Sequence, residues 1–153
     1  MTDPIGRPGA ATEQPYLARR QNWNTQLARH ALMQPDATAL RFLGRTTTWS
    51  ELDARVAALA GALHERGVRF GDPVLILMLN RVEFVESVLA INKLGAIAVP
   101  VNFRMTPSEI AFLVSDCAAN VAITESVLAG VAGAVRDLDP RLATIILAGG
   151  AAG

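Results

Sequence analysis

A single cysteine, Cys117, stands in the 153 residues. No internal disulfide and no thiolate cage for a metal can be built from one thiol, and Cys117 reads as a small hydrophobe near a helix end. Histidine is almost as scarce. His30 and His64 fall on different predicted helices, and neither has a carboxylate or a second histidine at ligand spacing, so no metal site is assigned. Charge of one sign is lacking too, because 14 basic residues balance 14 acidic ones. No field is left to attract nucleic acid or an acidic lipid surface, and neither is expected as a partner. The longest apolar run, Val74 to Leu79, falls far short of the ~18 residues of a membrane span. The amino terminus also lacks an apolar stretch behind a basic start. The chain is expected to be soluble and cytoplasmic, without a transmembrane segment.

Motifs of catalysis are equally sparse. There is no G-x-S-x-G turn, hence no nucleophile elbow, and no catalytic residue is assigned. A P-loop needs a lysine after a spaced pair of glycines, and the only lysine, Lys93, has neither that spacing nor a following hydroxyl. Gly149, Gly150 and Gly153 follow a predicted strand but do not make G-x-G-x-x-G, so residues 151–153 read as a flexible end rather than a nucleotide loop.

What is present is a domain's worth of apolar residues, 51% of the chain. Residues 1–20, with Pro4, Gly6, Pro8, Gly9 and Pro15 and little apolar periodicity, read as a mobile tail. Residues 21–150 read as one α/β unit. From Gln21 to Gln34, Trp23, Leu27, Ala31 and Leu32 recur at helical spacing, and Pro35 stops the pattern. Two β-prone runs flank Gly44 as a short hairpin. Leu52, Val56, Leu59, Ala60 and Leu63 form one stripe of a second helix, opened by the capping pair Thr48 and Glu51 and closed by Gly67.

The run "DPVLILMLN" is apolar without alternation, as expected of a strand buried on both faces of a parallel sheet. A helix from Arg81 to Leu94 follows, then "AIAVPV", a strand that Pro100 must end or hold at an edge. Asn102 to Met105 is a loop. Thr106 and Glu109 make a second capping box with Pro107 at the first helical position. Helix, strand "NVAIT", helix from Ser126 and strand "ATIILAG" complete the series. Alternating strands and helices predict right-handed crossovers and a parallel sheet flanked by helices.

The stretch from Thr46 to Glu125 resembles the adenylate-forming superfamily, which includes acyl-CoA synthetases, peptide-synthetase adenylation domains and luciferases. "TWSEL", Thr48 to Leu52, is similar to its first core motif, and "NKLGAIAVPVN", Asn92 to Asn102, to its second. The resemblance implies the amino-terminal subdomain of that fold; "VPVNFRMTPSEI" is more like acyl-CoA ligases than peptide-synthetase domains, and a fatty-acid-CoA ligase is the expected branch. The implied whole enzyme uses ATP and Mg to adenylate a fatty acid or other carboxylate, then forms a thioester with CoA. The family's phosphate loop, adenosine and magnesium motifs and carboxy-terminal lysine lie later than these motifs and are not in this sequence. The chain alone is therefore expected to be inactive, to bind no ATP, Mg or CoA, and to self-associate through uncovered apolar surface and strand edges. One cofactor-binding residue is carried over: Arg104, in the Asn102, Phe103, Arg104 segment, for a CoA phosphate. The competing reading is a stand-alone α/β binding or interaction module.

Overall fold

The computed structural model describes residues 22–149. The mobile tail expected at residues 1–20 and the flexible end at 151–153 lie outside those residues. The chain begins with helix α1, Trp23–Met33, capped by the Asn22 side chain on the Thr25 amide. The hairpin β1, Thr38–Phe42, and β2, Arg45–Thr48, is antiparallel. Its two-residue turn puts Leu43 at φ 48° and Gly44 at φ 78°. Two successive positive φ values match the right-handed twist of the flanking strands, which is why a glycine is needed there.

Helix α2, Trp49–Glu65, starts at the expected capping box: Thr48 accepts from the Glu51 amide, and the Glu51 carboxylate accepts from the Thr48 amide. The parallel sheet then builds up from β3, Pro73–Leu77, α3, Val82–Lys93, β4, Ile97–Pro100, α4, Pro107–Cys117, and β5, Val121–Glu125. A 3-10 turn, Ser126–Leu128, leads into α5, Ala129–Leu138, and β6, Thr144–Ala148, ends the series. The second capping box, Thr106 with Glu109, is also formed.

The sheet order is β4-β3-β5-β6, all parallel. β3 and β5 are central and buried on both faces, which is why their sequences do not alternate. Val74, Ile76 and Ile123 point to the side covered by α1, α2 and α3. Leu75, Leu77 and Ala122 point to the side covered by α4 and α5. Pro100 satisfies both alternatives posed by the sequence, because it is the last residue of a strand that lies at an edge.

Helix α1 forms within the expected Gln21 to Gln34 span, but its apolar stripe is largely uncovered. Of its four-residue stripe only Leu27 is buried; Trp23 and Leu32 are 75% and 81% exposed. The helix touches the core at one point because the sheet's first face is already filled by α2 and α3. The helix expected to begin at Ser126 starts instead as the 3-10 turn, since Ser126 and its neighbours provide no side-chain cap.

Candidate functional site

In an open parallel sheet the strand order reverses at one point, and the crevice outside the carboxyl ends of the strands there is the usual ligand site. The connection from β3 runs to β4 on one side, and that from β5 runs to β6 on the other. The reversal therefore lies between the carboxyl ends of β3 and β5.

That point is filled by side chains of the chain itself. Glu125, the last residue of β5, is 5% exposed. One of its oxygens accepts from the Leu79 amide, 2.5 Å away, and the other accepts from Nη1 of Arg81 at 2.8 Å. Beside it, the Thr124 hydroxyl donates to the Leu77 carbonyl at 2.9 Å. Arg81 stands at the N-cap position of α3, and its Nε and Nη2 donate to the two oxygens of Glu83 at 2.8 and 3.1 Å. Its pKa is raised by the hydrogen bonds to Glu83 and Glu125, so the cation is permanent. The same bond to Arg81 holds the Glu83 carboxyl below the usual carboxylate range.

One turn along α3, Glu86 is buried and faces Arg55 of α2, with Nε–Oε1 at 2.8 Å. Burial pushes its carboxyl up, and the Arg55 charge offsets only part of that. Two neighbouring glutamates are thus biased in opposite directions. Linkage gives opposite signs: Glu83 contributes stability above its unfolded pKa that is lost as pH falls through its lowered folded value, whereas the contribution of Glu86 is present at low pH and lost as pH rises through its raised folded value. Glu86→Gln is accordingly expected to unfold at a higher urea midpoint than the wild type at pH 7, with the difference shrinking toward pH 4. A variant weaker at pH 7 than at pH 4, relative to wild type, would contradict this assignment.

These groups border an open cleft of about 930 Å³ whose walls include Phe42, Leu43, Arg45, Arg55, Glu86 and Gly149. Arg104 lies elsewhere at the same end of the sheet, in the loop after β4. It is exposed, its amide donates to the Asn102 side chain at 3.0 Å, and its guanidinium carbon is 5.6 Å from the Phe103 ring centroid. The Glu109 carboxylate, its one nearby candidate partner in sequence, is taken by the Thr106 amide and hydroxyl. Lys93 reaches Asp53 at 3.4 Å and ties α3 to α2.

No triphosphate cradle is present in the sequence, and among the described residues no group of three or more His, Cys, Asp or Glu could hold a metal ion. His30 stacks on Trp49, with centroids 4.5 Å apart. No helix among the described residues is long and apolar enough to cross a membrane.

Sequence reasoning did not single out Arg81, Glu83, Glu86 or Glu125. A usable signal existed for Glu125, since a carboxylate directly following the buried run "VAIT" must enter the protein's interior with a partner.

Comparison with known proteins places this geometry in context. The AMP-binding enzyme family matches residues 27–151. A feruloyl-CoA synthase of an Amycolatopsis species is 40% identical over 105 residues, which are 69% of this chain and 21% of that protein. A solved fatty acyl CoA synthetase of Mycobacterium tuberculosis superposes with a TM-score of 0.76 at 30% identity, over 82% of this chain and 26% of that one. O-succinylbenzoate coenzyme A synthetase of Bacillus subtilis, solved with ATP and a magnesium ion, gives 0.63 at 34% identity over 66% and 28%. The chain thus spans about a fifth of the length of the feruloyl-CoA synthase it matches.

Proposed function

Because the chain belongs to the AMP-binding enzyme family, we propose that it forms the amino-terminal subdomain of an ATP-dependent acyl-CoA ligase acting on a fatty acid. The observation that carries this is the agreement of its αβα layers with the fatty acyl CoA synthetase over 82% of the chain. Feruloyl and succinylbenzoate ligases are similar as well, so the acyl group is the finer part of the reading. In the whole enzyme, ATP and magnesium supply the adenylation of the carboxylate, and the CoA thiol then takes the acyl group. This chain contributes the scaffold and one contact to CoA.

The test is carboxylate-dependent exchange of pyrophosphate into ATP. The 153-residue chain alone is expected to give none above a heat-killed control, and a longer chain carrying the later family elements is expected to exchange with fatty acids in preference to ferulate or succinylbenzoate. Exchange by the short chain would overturn its inactivity. Preference for an aromatic acid would replace the substrate, and no activity in the longer chain would favour a stand-alone binding module.

Arg104 is the proposed CoA contact. Its fork is exposed on a loop, with no carboxylate ion pair among the described residues, and can meet a phosphate without distorting a strand. In the whole ligase, Arg104→Ala is expected to raise KM for CoA on the order of 10- to 100-fold, equivalent to ~1.5–3 kcal/mol, with adenylation nearly unchanged. An equal loss in adenylation would remove Arg104 from the CoA site.

Self-association of the short chain is also part of this reading. Leu147 on edge strand β6 is 57% exposed and Leu138 on the adjacent α5 is 58% exposed, apolar surface for which further chain would be the natural cover. Sedimentation is expected to show dimers at high protein concentration, and a clean monomer would contradict it.

A further inference from the structure

The last described residue of the sheet's exit, Gly149, has a neighbour that gives the switch-point cluster a role. Gly149 has φ 72°, and a Cβ built on it would lie 2.7 Å from Nη2 of Arg81 and 3.5 Å from Oε1 of Glu83. A terminal guanidinium nitrogen usually swings aside at little cost. This one cannot move alone, because the same planar group is held at once by Glu83 through Nε and Nη2 and by Glu125 through Nη1. Glu125 in turn grips the Leu79 amide. Thus the loop leaving β3, the start of α3, the end of β5 and the exit from β6 meet on one guanidinium.

We infer that Arg81 is a positioning residue: the Arg81, Glu83 and Glu125 cluster acts as a joint that sets the direction in which the chain leaves β6 at Gly149. This rests on the ligase reading, under which the elements that follow Gly149 perform adenylation. The joint explains why a place that usually holds a ligand is instead occupied by three charged side chains that satisfy one another. It also gives Gly149 a second requirement beyond its backbone angle, namely room for the guanidinium plane.

Three measurements test it, with Gly67→Ala as the control for the Gly149 substitution. Gly67 has φ 90° and nothing within 4 Å of a built Cβ, so that variant carries backbone strain without touching an ion pair. In the 153-residue chain, nuclear magnetic resonance should show a slowly exchanging Arg81 Nε–H that is lost or strongly shifted in Gly149→Ala and retained in Gly67→Ala. Glu125→Gln should speed exchange of the Leu79 amide about 10-fold relative to that of Ile110 in α4, because a charge-assisted bond becomes a neutral one. In the whole ligase, Gly149→Ala should lower kcat for adenylation about 10-fold with KM for CoA within about 2-fold, while Gly67→Ala leaves both near wild type.

An Arg81 Nε–H signal unaffected by Gly149→Ala would overturn the joint. Normal adenylation by Gly149→Ala, with the signal lost, would overturn the positioning role and leave the joint as architecture. A wild-type whole protein without adenylation would sink the ligase reading and with it the role in a reaction, a result separable from the first because the resonance experiment needs no activity.

Discussion

Arg81→Met is expected to lower the unfolding free energy by about 3 kcal/mol, the size found when one partner of a buried ion pair is removed. The arginine's side chain is 28% exposed, which argues for the lower end of that range, but Glu125 is 6% exposed and cannot recruit water freely in its place. Methionine keeps much of the stem's packing and removes the charge, so the loss reports the stranded carboxylates rather than a cavity. Urea unfolding at two salt concentrations checks it. The loss should persist at high salt, because a buried pair is screened little. Combining Arg81→Met with Glu125→Gln should recover part of it, since the buried charge is then gone. A loss under about 0.5 kcal/mol, the usual scale of a surface pair, would show the cluster to be solvated.

The other large effect is expected at the centre of the sheet. Ile76→Ala should cost about 2–5 kcal/mol, made of lost transfer energy and the void left behind. Ile76 is 0% exposed, sits between Pro100 of β4 and Ile123 of β5, and faces the layer of α2 and α3. Strands on both sides fix the backbone, so little collapse into the void is available. Against a total of roughly 5–15 kcal/mol for a domain, the variant approaches the threshold of folding. A midpoint shift equivalent to less than about 1 kcal/mol at unchanged urea dependence would mean that the site repacks.

Local rules made much of this fold legible before any coordinates. The two capping boxes, the glycine of the hairpin and the unbroken apolar run of β3 each act over a few residues, and each appears where the sequence places it. What failed was non-local. The stripe of α1 has the correct period, yet whether Trp23 finds a surface to cover depends on how far α2 and α3 extend over the sheet. The charge cluster is non-local in the same sense: Arg81 and Glu83 are neighbours in sequence, but Glu125 joins them only through the order of the strands. Arg104 was nameable because it sits within a recognisable segment, and its loop setting was legible too, whereas its freedom from Glu109 required the structure.

Pro100 has one more effect. The amides of Ile97 and Val101 donate inward to Asp72 and Ile76 of the β3 side. By alternation, the nitrogen of Pro100 faces outward, where it has no hydrogen to offer an incoming strand. At the opposite edge the Thr144 amide donates inward to Asn120, which leaves the amides of Ile145 and Leu147 facing outward and intact. The β4 margin thus offers one outward amide, that of Ala98, where the β6 margin offers two. Growth of the four-stranded sheet by strand addition is therefore favoured at β6, and two copies joined there would use the better-equipped of its two described edges.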